Sequence, residues 1–258
     1  MTTSMKAPFE WRRRAGASAV HLLSCLVVAA LVAALVLLLW YPWPYRVISG
    51  GEKLLFLVMG VDIVMGPLIT LAIFDIRKPM RELKRDLTII VALQLAALGY
   101  GLHTVYIARP AVLALEGQRF RVTTANDVAS EELPRAVEGL RSLSLDGPRL
   151  VATAEPSDTE RGDVIFNALA GSDIGSRPLF WRPWGAEGRQ QALKVARQLQ
   201  PLMARAKDRA ALDEAIARTG KPVEQLAVIP MIARSTDWSV LIDKTSGDPV
   251  GFAPLDGF

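Results

Sequence analysis

The stretch LLFLVMGVDIVMGPLITLAIF, residues 54–74, decides how the rest of the chain is read. As a helix it rises about 30 Å, the thickness of a hydrocarbon core. It carries one charge, Asp62, and a helix-breaking step at Gly66-Pro67. Two other stretches share its length and apolarity, Ala19–Trp40 and Leu87–Ile107. Buried helices of soluble proteins are rarely so long and so free of charge, so the reading is three transmembrane α-helices over about 19–40, 54–74 and 87–107. The sequence after the first, WYPWPY, offers no small-residue cleavage site, and the span is expected to stay as an anchor.

A charge near the centre of a span costs roughly 2.5–3.5 kcal/mol, so Asp62 is expected to face protein rather than lipid. Pro67 lacks the amide that would bond the carbonyl of Ile63 one turn back. Counting up from Phe74 puts Asp62 about 18 Å above the inner end, and counting up from Leu87 puts Tyr100 at about 19.5 Å. The candidate intramembrane polar site is therefore Asp62, Gly66, Pro67 and Tyr100, with the Tyr100 hydroxyl as the expected partner, His103 slightly higher and Gln94 too low. Small residues four apart, Ala29/Ala33 and Ala30/Ala34 in the first span and Ala92/Ala96 and Ala97/Gly101 in the third, suit close helix approach. Asp62 then either glues a three-helix bundle or serves as a relay or docking site for another membrane helix.

Basic residues set the orientation. Lys6, Arg12, Arg13 and Arg14 precede the first span, and Arg77, Lys78, Arg81, Lys84 and Arg85 lie between the second and third. The intervening loop has only Arg46 and Lys53. Residues 1–18 are thus expected in the cytoplasm as a basic N-terminus, 19–107 in the membrane, and 108–258 outside as a periplasmic domain. Trp40, Tyr41, Trp43, Tyr45 and Tyr106 would form the outer aromatic belt, with Trp11 at the inner one.

Of 30 basic and 26 acidic side chains, residues 1–107 hold 11 and 6, leaving 19 and 20 for 108–258. The positive excess belongs to the membrane flanks, which argues against nucleic acid as a partner. The lone Cys25 lies within a span, and His21 and His103 sit near opposite ends of spans. Neither an internal disulfide nor a metal or other cofactor is expected.

The last 150 or so residues suffice for a domain with its own core. Strand-like runs occur at 111–115, 119–124, 149–154, 226–233, 238–243 and 249–255, with turns at Glu116-Gly117-Gln118 and within KTSGD. Helical patterns occupy 187–199, a segment starting at Pro201 and closed by Gly220 and Pro222, and the neighbourhood of 159–169. The expected fold is α+β, an antiparallel sheet with helices on one face. This part contains no His or Cys, no phosphate loop and no nucleophile elbow, and it is not expected to be an enzyme. SRPLFWRPWG, 176–185, gathers Arg177, Phe180, Trp181, Arg182 and Trp184. Those types favour interfaces, so it is a candidate partner-binding loop; packing of its aromatics as core is the alternative.

Four segments carry a family resemblance: MGVDIVMGPLITLAIF (59–74), LQLAALGYGLHTVYIARP (93–110), QRFRVTTANDV (118–128) and IPMIARSTDWSVLIDKTSG (229–247). In order and spacing the chain resembles the type IV pilin accessory proteins of the TfpX/TfpZ kind over nearly its whole length. It departs at Gln118, where an acidic residue is expected before Arg119-Phe120. The resemblance implies an inner-membrane protein that binds a type IV pilin and supports its stability or assembly, with the lipid bilayer as its other partner and homo-oligomers possible. It supplies no catalytic residues. Two other classes stay in view. One is a membrane-anchored sensor with a ligand-binding outer domain; the other is a membrane enzyme or transporter using Asp62.

Overall fold

The computed structural model describes residues 11–157, 173–233 and 238–258. The helix expected near 159–169 lies outside them. By internal contacts the chain forms two compact units, Met1–Val36 with Glu52–Val105, and Leu37–Gly51 with Tyr106–Phe258.

The first unit is built on three long helices, Trp11–Leu35, Gly51–Ile73 and Met80–Ile107; a π-helical turn, Val36–Trp40, continues the first. All three are long and apolar enough to cross a membrane. Most of their apolar side chains point outward, Leu31, Phe56 and Leu93 among them, as lipid-facing surface does. The first and third helices start ahead of their apolar stretches, with Arg12, Arg13 and Arg14 and with Arg81, Lys84 and Arg85 on their opening turns. Of the small-residue pairs in the first helix, Ala29/Ala33 turns inward and Ala30/Ala34 is exposed. Gly101 lets the third helix meet the second closely: a Cβ there would stand 2.3 Å from Val58 Cγ1.

Among the described residues the second unit holds an eight-stranded sheet. Its strands are β1 Pro110–Glu116, β2 Arg119–Thr124, β3 Arg149–Thr153, β4 Trp181–Pro183, β5 Arg197–Gln198, β6 Leu226–Ile232, β7 Trp238–Asp243 and β8 Pro249–Ala253. The order is β4-β3-β1-β2-β6-β7-β8, with β5 beside β6. The sheet is mixed, not antiparallel as expected. β1 runs parallel to β3 and β2 parallel to β6, while the remaining pairs are antiparallel. The tight turns, with Gly117 at φ 58° and Gly247 at φ 79°, enforce local antiparallel pairs. One long connection brings β3 in at the end where β1 starts and another brings β6 in at the opposite end, where β2 starts, so each runs parallel to its neighbour.

Helices cover both faces, not one. Leu113, Leu115, Phe120, Val122, Ile229 and Val240 pack against Ala192 of the helix Ala186–Val195. Leu226, Val228 and Leu241 pack against Leu212 and Ile216 of the helix Arg209–Arg218. Burial on both faces is why β1 reads as a continuous apolar run. Two helix limits differ from the sequence reading. The first helix stops at Val195 because Ala196 turns extended and Arg197–Gln198 joins β6. The second starts at Arg209, where Asp208 Oδ1 accepts from the amide of Ala211 at 2.9 Å. Pro230 lies inside β6, and its missing N–H falls where β5 has ended and β2 has not begun.

The segment between the first two long helices belongs to this sheet's core. Tyr45 and Ile48 are buried in it, and the Tyr45 ring meets Phe252 edge-on at 5.4 Å between centroids. Burial pushes the Tyr45 hydroxyl well above its ordinary pKa and lifts Tyr41 to about 12, against a smaller opposing pull from Arg109. Of the expected aromatic belt, Tyr41 and Tyr45 are therefore interior, Trp43 is exposed, and Trp40 and Tyr106 pack on each other.

Candidate functional site

Arg14, Ser18, His21 and Cys25 recur at spacings of four, three and four, which places them on one face of the first helix. Arg14 is buried and donates from Nη1 to the carbonyl of Ala72 at 2.8 Å and from Nη2 to Asp75 Oδ2 at 3.1 Å. It thereby satisfies carbonyls at the end of the second helix, where the helix dipole also favours a cation. Hydrogen bonds from Arg77 hold the Asp75 carboxyl well below the usual carboxylate range, with Arg14 adding a smaller attraction. One turn further along, the Ser18 hydroxyl donates to the Pro67 carbonyl at 2.8 Å, and His21 Nδ1 shares a 2.6 Å bond with the Thr70 hydroxyl. In a medium without water each such group needs a protein partner, and the seam supplies one.

Above the seam lies a cavity of about 260 Å³ lined by His21, Ser24, Cys25, Asp62 and Gln94 among apolar side chains such as Met59 and Leu98. Gln94 Nε2 donates to the backbone carbonyl of Asp62 at 3.3 Å and approaches Cys25 Sγ at 3.6 Å. Gly66 makes room for it: a Cβ there would stand 2.0 Å from Gln94 Nε2. Gln94 Oε1 is buried without a hydrogen-bond partner. Among the described residues the Asp62 carboxylate meets no side-chain donor.

Gln94 brings Gly66 and Asp62 together, whereas Pro67 meets Ser18 in the seam and Tyr100 points outward, 78% exposed. Leu87 is not level with Phe74, because the third helix starts at Met80 and Leu87 is already about two turns along it. Gln94 consequently takes the place expected of Tyr100. Arg14, Ser18 and His21 were missed as site residues, and their four-three-four spacing is the signal that could have found them.

In the second unit the SRPLFWRPWG loop is turned inward. Phe180 and Trp181 are buried, and Trp181 Nε1 donates to the carbonyl of Gly175 at 3.0 Å. Arg177 forks onto the buried Glu132 at 3.0 and 2.7 Å. Trp184 donates to Asp248 at 2.9 Å, and Arg182 to the carbonyls of Leu179 and Trp181. The hydrogen bond from Arg189, then that from Trp184, holds the Asp248 carboxyl below its ordinary range. Nearby, Glu116 Oε1 accepts from Arg119 at 3.0 Å and Arg121 at 2.8 Å, so Arg119 has its carboxylate partner although Gln118 supplies none. Among the described residues no group of three or more His, Cys, Asp or Glu could hold a metal.

A model of the family described as "Fimbrial assembly protein FimB" matches residues 9–50. Fimbrial assembly proteins of serogroups I and E1 of Dichelobacter nodosus are 33% and 32% identical to the chain over 231 residues, 88% of this chain and 90% of each relative. The chain belongs to the fimbrial assembly protein family. A relative of serogroups C1 and C2 is 40% identical over 119 residues, 46% of this chain and 91% of its own length. No solved structure matches. The resemblance read from the residues is borne out at this level. The family match falls on the first helix with its seam of Arg14, Ser18, His21 and Cys25, and on segment 41–48 with its buried Tyr41, Tyr45 and Ile48.

Proposed function

We propose that this chain is a non-catalytic inner-membrane accessory protein of type IV pilus assembly, and that its intramembrane cavity receives the apolar helix of a pilin subunit. The observation that carries this reading is the groove itself. It is an apolar surface interrupted by an acceptor the bundle leaves unused, the Asp62 carboxylate. Within lipid such an acceptor favours a helix bringing a hydrogen-bond donor, because hydrocarbon offers none. The likeness to fimbrial assembly proteins along nine-tenths of their length gives the groove its setting. Residues 1–18 lie in the cytoplasm and 108–258 in the periplasm, as the basic flanks dictate. A pilin waiting in the membrane could then meet the helices with its apolar segment and the outer domain with its head.

The test is a deletion strain scored separately for total pilin and for surface pili, complemented by chains carrying a photocrosslinker at Met59 or Leu95. Loss of surface pili with a pilin adduct at either position is the expected result. Normal pilin and normal piliation together would refute the assembly role. Lost piliation without adducts would keep that role and refute the groove.

A further inference from the structure

Two tethers hold loop 144–147 of the second unit against Tyr106 and Pro42 of the same unit. Arg109, two residues past the third helix, is 4% exposed. Its guanidinium carbon lies 3.9 Å from the centroid of the Tyr106 ring, and it donates to the carbonyls of Tyr106 at 2.8 Å and Ser144 at 3.4 Å. The Tyr106 ring packs on Trp40, the last residue of the first helix, at 5.1 Å between centroids. The second tether is Gly147, at φ 94°, which approaches Pro42 so closely that a Cβ would stand 2.8 Å from Pro42 Cγ. Between the tethers Leu145 is 57% exposed. Trp43 and Val47, from the segment joining the first two helices, are 43% and 48% exposed.

We propose that Leu145, together with Trp43 and Val47, is immersed in the headgroup–acyl boundary of the bilayer, making loop 144–147 a peripheral lipid contact of the second unit. The occupant is lipid because the chain leaves one membrane-length helix at Trp40 and starts the next at Gly51. Ten residues so bounded cannot stray more than about 17 Å from the boundary, and the loop is bound to them. Aromatic and aliphatic side chains over a cationic base suit that zone. The inference rests on the membrane-spanning reading.

The experiment uses the full chain with Cys25→Ala, reconstituted in phosphatidylcholine–phosphatidylglycerol vesicles. Single nitroxides are placed through Leu145→Cys, Val47→Cys, Leu31→Cys and Gln118→Cys. Leu31 faces outward on the first helix, and Gln118 lies in the exposed β1–β2 turn, one seven-residue strand from the helix exit. Accessibility to oxygen and to a water-soluble nickel chelate is compared. The expected oxygen-to-nickel ratio at 145 and 47 is several-fold above that at 118 and below that at 31. A ratio at 145 equal to that at 118, with 31 still lipid-like, overturns the proposal, as would be seen if the loop served a protein partner. A water-like ratio at 31 would instead overturn the spanning reading, and the loop contact with it.

Discussion

At the residue scale, two glycines and two carboxylates carry separable consequences. Gly101 faces the β-branched Val58, which has little rotamer freedom, whereas Gly66 faces the end of the flexible Gln94 side chain. Gly101→Ala is therefore expected to cost about 1–3 kcal/mol through overpacking. Gly66→Ala should cost about 1 kcal/mol, the hydrogen bond lost when the Gln94 amide swings away. Thermal unfolding in detergent micelles ranks the two, and the reverse order would contradict this packing. Asp62 makes its bundle contact through its backbone carbonyl, so Asp62→Leu should leave protein level unchanged. If the groove docks a helix, the same variant reduces surface pili, and Asp62→Asn, which keeps an acceptor, reduces them less. A fall in protein level with Asp62→Asn would show that the side chain holds the bundle together. Asp75 behaves differently. Its carboxyl is held below the ordinary value, so its ion pairs stabilise fully above about pH 4 and weaken as pH falls through the lower folded value. The stability gap between the natural chain and Asp75→Asn should stay constant from about pH 7 to 4.5 and close only below about pH 4.

At the scale of elements, local chemistry predicted the hairpins and missed the returns. Gly117 and Gly247 announce their turns, and the β1–β2 and β7–β8 pairs follow from them. Nothing near β3 or β6 announces a parallel neighbour, because that partner is chosen by burial across the sheet after a long connection. Trp40, Tyr41, Trp43, Tyr45 and Tyr106 suit an outer aromatic belt, since membrane-flanking Trp and Tyr ordinarily sit there. The sheet's need to cover Phe252 and its neighbours instead draws Tyr45 and Ile48 inside. Ile48→Ala is accordingly expected to destabilise the second unit by about 2–5 kcal/mol. Val47→Ala, at an exposed neighbour, should change stability by less than about 0.5 kcal/mol. Equal effects in a thermal melt would place the segment outside the core.

At the scale of the whole molecule, the proposed topology predicts that alkaline phosphatase fused after Phe258 is active and that a fluorescent protein fused there is dark. Activity confined to the cytoplasm would reverse the orientation. Three membrane-length helices followed by an α+β unit were legible in the sequence alone, as was the family, because lipid solvation demands long apolar runs and strands demand short alternating ones. The polar spacing of Arg14, Ser18, His21 and Cys25 was legible too, though not its targets. Only the tertiary structure decided that Gln94 and not Tyr100 reaches Asp62, that Phe180 and Trp181 are core, and that the sheet is mixed. Each depends on helix register or on long-range burial, and those are settled when distant segments compete for the same contacts, which no local pattern records.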